Sequence, residues 1–571
     1  MNVCFNVLMF VCLICFKRNH VYFIMDKLNS FQQSVLQECL LKKNGGMSLP
    51  MGSGKTLLSI VLGLTQSPDD PILVVVAKTL VENWKFEIAK FFGTTLPYQV
   101  LHSDYEKDMD AWKLDPSTRL VITTSDVISK VYKCKNIETK FVILDIVNQG
   151  RFNQHSIVRY RVPNTPFAAA DGQGLLFSRV WGSLIIDEIQ KFTKVSSMRC
   201  RGLAAICAKH RWGLSGTMFD EPSVERLLGY HLIINSPTFP RTLPAAELHV
   251  RNSAFRGVAH TVVKRLINEA FTPPRLIEKI INHQLCDEEQ KIYLSMKITI
   301  KAVSAIVKKL QLVEDVQGVR RFSSYLLAMI TYLRQSIICP LIPIANVTLD
   351  MMELTDSTTK GKSDLSKMLT TELDNIDIGD WLDKPSSVVS SRMKSGLSII
   401  NKHSDERLVI FTCFRSCLDI FMNQISNRPA MTLCSSMSTK KRAEILDTFS
   451  KTSNGILFLT YDLGAEGLNL QTAHTVLLMD MWWNAGKTQQ SIARVLRQGQ
   501  TSATVNVYYF TSNLGIERAM FHKHKDKLDI GQEISDGPLE STVRNIKVQD
   551  IIAILENEDN ERSLNEILKR M

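Results

Sequence analysis

The chain has 571 residues, of which 45% are hydrophobic and 22% are charged, a composition typical of folded soluble domains and not of disordered or fibrous chains. Its length predicts two or three domains, each able to bury its own core. The formal net charge of +11 favours polyanionic partners, although charge alone is as typical of a generically basic protein. The twelve cysteines are scattered without paired zinc-ligand spacing, which argues against a disulfide framework and a zinc module.

An apolar run opens the chain over residues 3–16, and Lys17 and Arg18 follow it. The run of about 14 residues is shorter than the ~20 needed to cross a bilayer. Its positive charges follow the apolar run, whereas those of a signal peptide precede it. We therefore expect residues 1–24 to be an extension that is dispensable to the native protein or absent from it, with a start at Met25. No stable membrane association is expected.

Residues 25–235 predict a first lobe. Apolar strands alternate there with helical stretches, which is the pattern of a parallel α/β sheet. Short β-branched runs at 72–76, 120–124 and 184–186 predict strands that are buried on both faces. Residues 141–180, which contain Gly, Asn and Pro, interrupt the series and predict an inserted loop.

Residues 236–390 predict a linking region of another kind. Helical periodicity extends over 288–312 and 319–338, with few strand candidates nearby. The stretch 346–387 is rich in Asp, Ser and Thr, and it is more typical of a flexible or surface linker than of an acidic helix face.

Residues 391–535 return to the α/β pattern and predict a second lobe. Its strand candidates lie at 408–411, 455–459, 476–479 and 505–510. The remaining residues, 536–571, predict a polar tail with one amphipathic stretch at 548–555.

A glycine-rich stretch in the first lobe predicts a phosphate-binding loop. It comprises Met51, Gly52, Ser53, Gly54, Lys55 and Thr56. Its glycines let backbone N–H groups approach phosphate oxygens, and the N-terminus of the following helix adds partial positive charge. Lys55 is expected to reach the β- and γ-phosphates of ATP, and Thr56 to ligate Mg²⁺. The strict pattern has glycine where this chain has Leu49, so the stretch alone is also compatible with a glycine-rich helix cap.

Two acids that follow the 184–186 strand point to hydrolysis of the bound nucleotide. Asp187 is expected to hold Mg²⁺, and Glu188 to orient or deprotonate the attacking water. Acids also end strands at solvent-exposed turns, but a phosphate loop upstream makes that alternative the weaker one. Gln32, upstream of the loop, is a candidate for reading the adenine edge, although a glutamine there is equally compatible with a helix start.

A block near the end of the second lobe contains two arginines three positions apart, Arg494 and Arg497. About one helical turn separates them, so both side chains are expected on one face of a helix. A solvated basic helix face is the alternative interpretation. The flanking Gln490, Gly499 and Gln500 favour a functional motif instead.

Together these segments resemble the SWI/SNF-like branch of the superfamily 2 helicase-related ATPases over nearly the whole of residues 28–530. The segments that carry the resemblance are 28–32, 51–56, 73–84, 123–124, 187–190, 212–217, 273–274, 289–293, 333–335, 339–340, 411–414, 464–470, 480–484 and 490–500. The resemblance implies an α/β fold of two RecA-like parallel-sheet lobes with a mainly helical insertion between them. The last segment is the most specific to this branch.

The resemblance also implies roles that the residues' own pattern leaves open. Arg494 and Arg497 would reach across the cleft between the lobes to the γ-phosphate, where an arginine raises the rate ~10³–10⁵-fold. Gln190, Gly467 and Gln490 would line the nucleotide site. The candidates for nucleic-acid contact are Lys78, Thr123, Thr124 and Asn469.

Four positions depart from the pattern of the branch. Gln190 stands where histidine is usual, Pro50 where an acid is usual, Met218 where proline is usual and Ala465 where glycine is usual. None of these departures removes a group that the chemistry needs. We therefore expect an active enzyme that uses ATP and Mg²⁺.

The expected activity is that of a nucleic-acid-dependent ATPase and translocase, with duplex DNA favoured by the resemblance, that remodels protein–DNA complexes or supports transcription. A strand-separating helicase of replication or repair is one alternative, and a transcription regulator that acts mainly by binding is another. The compact form is similar to those of large DNA viruses, including the global-transactivator type. We expect an intracellular protein, nuclear in the host cell if viral or eukaryotic and cytoplasmic otherwise.

Overall fold

The structure is a computed structural model, and it divides after Pro273 into two compact α/β units. The second unit also takes in the described residues from 548 onward. The residues that the structure describes are 28–102, 104, 112–134, 145–147, 157–159, 166, 172–218, 223–237, 239–240, 242, 244–246, 261–265, 267–270, 272–340, 388–434, 436–464, 468–482, 485–497, 499–522, 548–561 and 563–565.

A parallel sheet forms the centre of the first unit. The strands of this unit are β1 (Asn44–Ser48), β2 (Ile72–Val76), β3 (Tyr98–Leu101), β4 (Leu120–Thr124), β5 (Asp145–Val147), β6 (Ile157–Arg159), β7 (Trp181–Asp187), β8 (Ala208–Ser215) and β9 (Val262–Lys264). In the part of the chain that the structure describes, seven of them lie side by side in the order β3, β4, β2, β7, β8, β1, β9. The other two, β5 and β6, form a separate antiparallel pair.

Helices cover both faces of this sheet. They are α1 (Ser30–Leu40), α2 (Lys55–Gln66), α3 (Val81–Phe92), α4 (Ser125–Cys134), α5 (Met198–Ala205), α6 (Val224–Ile233) and the short α7 (Ile267–Ala270). Leu73 and Val75 of β2 belong to one buried cluster, whereas Ile72, Val74 and Val76 belong to the other, because successive side chains of a strand point to opposite faces. The continuous apolar run of β2 is thus buried on both sides, as predicted.

The second unit is built on another parallel sheet. Its strands among the described residues are β10 (Arg275–His283), β11 (Leu408–Thr412), β12 (Ala430–Leu433), β13 (Ile456–Thr460), β14 (Thr475–Leu478) and β15 (Thr504–Ser512), in the order β10, β15, β14, β11, β13, β12. Its helices are α8 (Asp287–Leu312), α9 (Val316–Ile338), α10 (Ser391–Lys402), α11 (Arg415–Asn423), α12 (Thr439–Lys451), α13 (Tyr461–Gly464), α14 (Ala485–Val495) and α15 (Val548–Asn557). The two parallel sheets confirm the predicted α/β fold of two RecA-like lobes.

The linking region differs from the prediction in where its residues belong. β9 and β10 both lie within residues 236–390, yet β9 pairs with β1 in the first sheet and β10 pairs with β15 in the second. The division therefore falls after Pro273 instead of at residue 235, and the helices α8 and α9 belong to the second unit. β10 escaped prediction because it is an edge strand with most of its side chains exposed, so it has no continuous apolar run.

The C-terminal helix α15 lies within the stretch that was predicted to be a polar tail. Its apolar residues Ile551, Ile552 and Leu555 share a buried cluster with residues of α8 and α9. The amphipathic stretch therefore packs against the second unit. The predicted extension 1–24 and the acidic stretch 346–387 lie outside the described residues. No helix in the described ranges has both the length and the apolar character needed to cross a membrane.

Candidate active site

The glycine-rich loop connects β1 to the N-terminus of α2. Gly52 has φ +81° and Gly54 has φ +79°, a left-handed conformation that glycine adopts without steric cost. Gly54 is also the N-cap of α2, so the loop turns sharply into the helix. A Cβ at Gly54 would lie 2.3 Å from Gln32 Nε2. The backbone conformation favours glycine at this position, and a Cβ would also displace the Gln32 amide.

Polar groups of the loop have the chemistry of a phosphate site. Lys55 Nζ donates to the carbonyl oxygens of Leu49 at 2.9 Å and Pro50 at 3.1 Å, so its ammonium lies against the loop. The Ser53 hydroxyl is buried and has no hydrogen-bond partner among the described residues. Because an unpaired buried hydroxyl costs free energy, this position fits a ligand with strong acceptor oxygens. Thr56 follows Lys55 in the first turn of α2.

Gln32, a residue of α1, is hydrogen-bonded to the glycine-rich loop. Its Nε2 donates to the Ser53 carbonyl at 3.0 Å, and its Oε1 accepts from the backbone N–H of Asn29 at 3.1 Å. Both ends of the amide are therefore engaged within the protein. Contact between Gln32 and adenine stays a prediction, whereas its bond to the loop is a feature that sequence reasoning missed.

The acid pair follows directly from the sheet. Asp187 is the last residue of β7, and its register partner in β8 is Leu214. Ser215, the next residue of β8, is the register partner of Ser48 at the end of β1. The carboxyl ends of β1, β7 and β8 thus meet at one edge, which is where parallel α/β sheets bind ligands.

The groups around Asp187 have opposing effects on its pKa. Burial raises the pKa of Asp187, and the neighbouring Glu188 carboxylate adds to that rise. A hydrogen bond from Trp84, whose Nε1 lies 3.0 Å from Asp187 Oδ2, and the positive charge of Lys55 oppose the rise in pKa. Lys55 therefore contributes to the electrostatic environment of Asp187.

Glu188 is held in place by its neighbours. Its backbone has φ +52°, an unfavourable conformation for a residue with a side chain and one that persists at functional sites. Gln190 Nε2 donates to Glu188 Oε2 at 2.5 Å, whereas Gln190 Oε1 is buried without a partner among the described residues. The residue that departs from the usual histidine thus positions the candidate catalytic glutamate.

The turn after β8 connects this edge to the glycine-rich loop. The Ser215 carbonyl accepts from the backbone N–H of Leu49 at 3.1 Å, and the Ser215 hydroxyl accepts from the N–H of Thr217 at 2.9 Å. Movement of this turn would therefore displace Leu49 and the phosphate loop that follows it.

The arginine block of the second unit lies on α14 and just beyond it. Gln490 and Arg494 are buried, with 3% and 6% exposure, and Arg497 is half-buried. The backbone N–H of Leu470 donates to the Arg494 carbonyl at 3.2 Å. Burial of Arg494 contradicts the alternative of a solvated basic helix face. Gly467 lies outside the described residues.

The four candidates for nucleic-acid contact separate into two classes. Lys78 is exposed and pairs with Asp104 at 2.7 Å, and Asn469 is also exposed. Thr123 and Thr124 are fully buried; the Thr123 hydroxyl donates to the Leu101 carbonyl at 2.8 Å, and that of Thr124 accepts from the Val127 N–H at 3.4 Å. Both hydroxyls are thus engaged within the protein at the carboxyl end of β4, and contact of the two threonines with nucleic acid stays a prediction.

Comparison with family models finds one match within each of the two units. An SNF2-related domain matches residues 32–229, and a helicase conserved C-terminal domain matches residues 391–499. The first match contains the phosphate loop and the acid pair, and the second contains the arginine block.

Individual relatives include viral and cellular proteins. "Putative helicase 172L" of Invertebrate iridescent virus 6 is 25% identical over 535 residues, which is 87% of this chain and 85% of that protein. The DNA repair and recombination protein RAD54 of Oryza sativa subsp. japonica is 24% identical over 92% of this chain, but the match spans 52% of that protein. The DNA repair protein RAD5 of Eremothecium gossypii is 29% identical over 26% of this chain and 14% of its own length. A solved structure, the Sulfolobus solfataricus SWI2/SNF2 ATPase core in complex with dsDNA, aligns over 89% of this chain and 94% of its own, with 18% identity and a TM-score of 0.35.

Proposed function

Because the chain belongs to the SWI/SNF-like branch of the superfamily 2 ATPases, we propose that it hydrolyses ATP on duplex DNA and uses the energy to move along the DNA and remodel protein–DNA complexes. The observation that carries this proposal is the convergence of the glycine-rich loop and the acid pair at the carboxyl edge of the first sheet. In this proposal Lys55 binds the phosphates and Glu188, held by Gln190, orients the attacking water.

The oxygen ligands at this edge suit Mg²⁺. The Thr56 hydroxyl and the Asp187 carboxylate are hard oxygen donors, the kind that Mg²⁺ prefers. When bound, Mg²⁺ would neutralise charge on the phosphate oxygens. Arg494 and Arg497 are proposed to stabilise the charge that develops during hydrolysis, and this role rests on the family's pattern.

Duplex DNA is the proposed track. Two of the relatives are named as DNA repair proteins, and the chain's net charge of +11 favours a polyanion. Contacts of this kind go mainly to phosphates and are largely independent of base sequence. We propose an intracellular location, in the nucleus of a eukaryotic or virus-infected host.

The direct test is ATP hydrolysis measured without nucleic acid and with single-stranded DNA, duplex DNA or RNA. We expect the largest stimulation with duplex DNA and a loss of about 10²-fold in Lys55→Ala, the cost of removing one group that stabilises developing charge. Lys209→Ala is the control, because Lys209 is exposed near the amino end of β8 and should leave hydrolysis unchanged. An unstimulated wild type, or a fully active Lys55→Ala, would overturn the proposal.

The name of the viral relative favours a second candidate function, a strand-separating helicase. A strand-displacement assay on a forked DNA without bound protein distinguishes the two. Unwinding there supports the helicase, whereas hydrolysis and protein displacement without unwinding support the translocase.

A further inference from the structure

Trp84 is a buried residue of the first unit whose polar atom faces the candidate metal ligand. It lies on α3, is 1% exposed and packs in the core cluster formed by α1, α2, α3 and the sheet. Its indole Nε1–H donates to Asp187 Oδ2 at 3.0 Å, across 103 positions of sequence. The indole nitrogen is a donor only, so the direction of this bond is unambiguous.

The partner of Trp84 sets it apart from the other buried tryptophans of this unit. Trp181 donates to the Leu176 carbonyl at 3.0 Å, and Trp212 donates to the side-chain amide of Gln66 at 2.8 Å. Trp112 Nε1 has no hydrogen-bond partner among the described residues. Buried indoles usually find some acceptor, but within the described part of this unit only Trp84 uses a carboxylate.

The hydrogen bond from Trp84 restricts the orientation of the Asp187 carboxylate. Trp84 engages Oδ2, and Asp187, the last residue of β7, is partly exposed, so the residue as a whole is not sealed within the core. The position of the ring is fixed by the core around it, because rotation of a large buried ring would require neighbouring side chains to move. Mg²⁺ demands near-ideal octahedral geometry, and a ligand with a fixed orientation meets that demand at lower cost than a freely rotating one.

We propose that Trp84 is a positioning residue for Mg²⁺ in the ATP site. Its indole N–H holds one carboxylate oxygen of Asp187 and thereby orients the other oxygen toward the metal. This inference rests on the proposed function, since it assigns Asp187 to Mg²⁺. Loss of such an outer contact typically weakens metal affinity by about 10–100-fold.

The test compares Trp84→Phe with Trp181→Phe in the full-length protein. Both changes remove a buried indole N–H, and Trp181 begins the same strand that Asp187 ends. Binding of Mn²⁺ in the presence of ADP, followed by the electron paramagnetic resonance of free Mn²⁺, reports metal affinity without turnover. We expect about 10-fold or greater weakening in Trp84→Phe and wild-type affinity in Trp181→Phe.

Steady-state kinetics supplies a second readout. In Trp84→Phe the Mg²⁺ concentration for half-maximal hydrolysis should rise by the same factor, and high Mg²⁺ should restore kcat. A purely structural role for Trp84 would instead lower kcat at every Mg²⁺ concentration. In an Asp187→Asn background, removal of the indole N–H should have no further effect on Mn²⁺ binding.

Wild-type Mn²⁺ affinity in a folded Trp84→Phe protein would overturn the inference, as would equal weakening in both variants. If Trp84→Phe does not fold, 3-benzothienylalanine at position 84 keeps the bicyclic shape, lacks the N–H and must give the same weakening. The two proposals fail in different ways. A wild type that does not hydrolyse ATP contradicts the proposed function, whereas an active wild type with unchanged metal binding in the variants contradicts only the role of Trp84.

Discussion

Gly54 and Gly93 both have a positive φ, but their ψ angles of 34° and −125° and their surroundings differ. Gly54 has φ +79°, and a Cβ there would lie 2.3 Å from Gln32 Nε2, whereas Gly93 has φ +56° and a Cβ would meet nothing within 4 Å. Both positions resist a side chain through backbone strain. At Gly54 a Cβ would in addition displace the Gln32 amide that is hydrogen-bonded to the phosphate loop.

This contrast predicts different defects for the same substitution. Gly54→Ala should raise the KM for ATP strongly, because a side chain strains the backbone there and displaces the Gln32 amide that is hydrogen-bonded to the loop. Gly93→Ala should lower only the free energy of unfolding, by about 1–3 kcal/mol, the cost of placing a side chain in a sparsely populated backbone conformation. Binding of a fluorescent ATP analogue and urea unfolding measure the two effects. Unchanged nucleotide binding in Gly54→Ala would contradict the assignment of the loop.

Among the elements, α15 is attached to α8 by a buried ion pair as well as by apolar packing. Glu558 lies just beyond the end of α15. Lys297 Nζ of α8 lies 2.9 Å from Glu558 Oε2, and the two side chains are 4% and 9% exposed. Tyr293 also donates its hydroxyl to Glu558 at 3.0 Å. The adjacent Asp559 lies 3.3 Å from the same lysine, but its side chain is 82% exposed.

The two neighbouring acids should therefore differ in their effect on stability. Glu558→Ala leaves Lys297 buried without its main partner and should lower the free energy of unfolding by about 3–5 kcal/mol. Asp559→Ala removes an exposed contact and should cost at most about 1 kcal/mol. Chemical unfolding of both variants tests this. Small and equal effects would show that α15 is not anchored as described.

A second set of buried charges joins β10, α10 and the segment after β15. Arg392 donates to both carboxylate oxygens of Glu517, at 2.8 and 2.6 Å, and its Nε lies 3.2 Å from His283 Nε2. Burial, and then the charge of Arg392, lower the pKa of His283 from 6.5 to about 4. The histidine is therefore neutral in the folded protein under conditions in which the unfolded chain protonates it.

This pKa difference predicts how stability depends on pH. Between pH 6.5 and about 4 the unfolded state binds one proton more than the folded state at this histidine. The free energy of unfolding is therefore unaffected by His283 above this window. It falls as the pH decreases through the window, by up to about 1.4 kcal/mol per pH unit. His283→Gln should flatten this part of the curve. Urea unfolding at pH 7 and pH 5 measures the change. An identical pH dependence in wild type and variant would contradict the prediction.

At the scale of the whole molecule, the excess of positive charge governs the response to salt. A net charge of +11 and phosphate contacts predict that DNA stimulation of hydrolysis falls steeply between about 50 and 200 mM salt, because the release of counterions from the DNA gains less free energy when the bulk salt concentration is higher. Hydrolysis without DNA should change little over the same range. Titration of ATPase activity with NaCl, with and without duplex DNA, tests this. DNA stimulation that does not depend on salt would argue against a phosphate-tracking motor.

The sequence by itself determined the α/β class, most strands and the motif residues of the site. These features are local: a buried parallel strand is a continuous apolar run such as Ile72–Val76, and the phosphate loop lies between one strand and the next helix. The tertiary structure decided what is distant in sequence. It paired β10 with β15, brought Trp84 to Asp187 and enclosed Thr123, because pairing, partner and burial depend on which elements pack together in space.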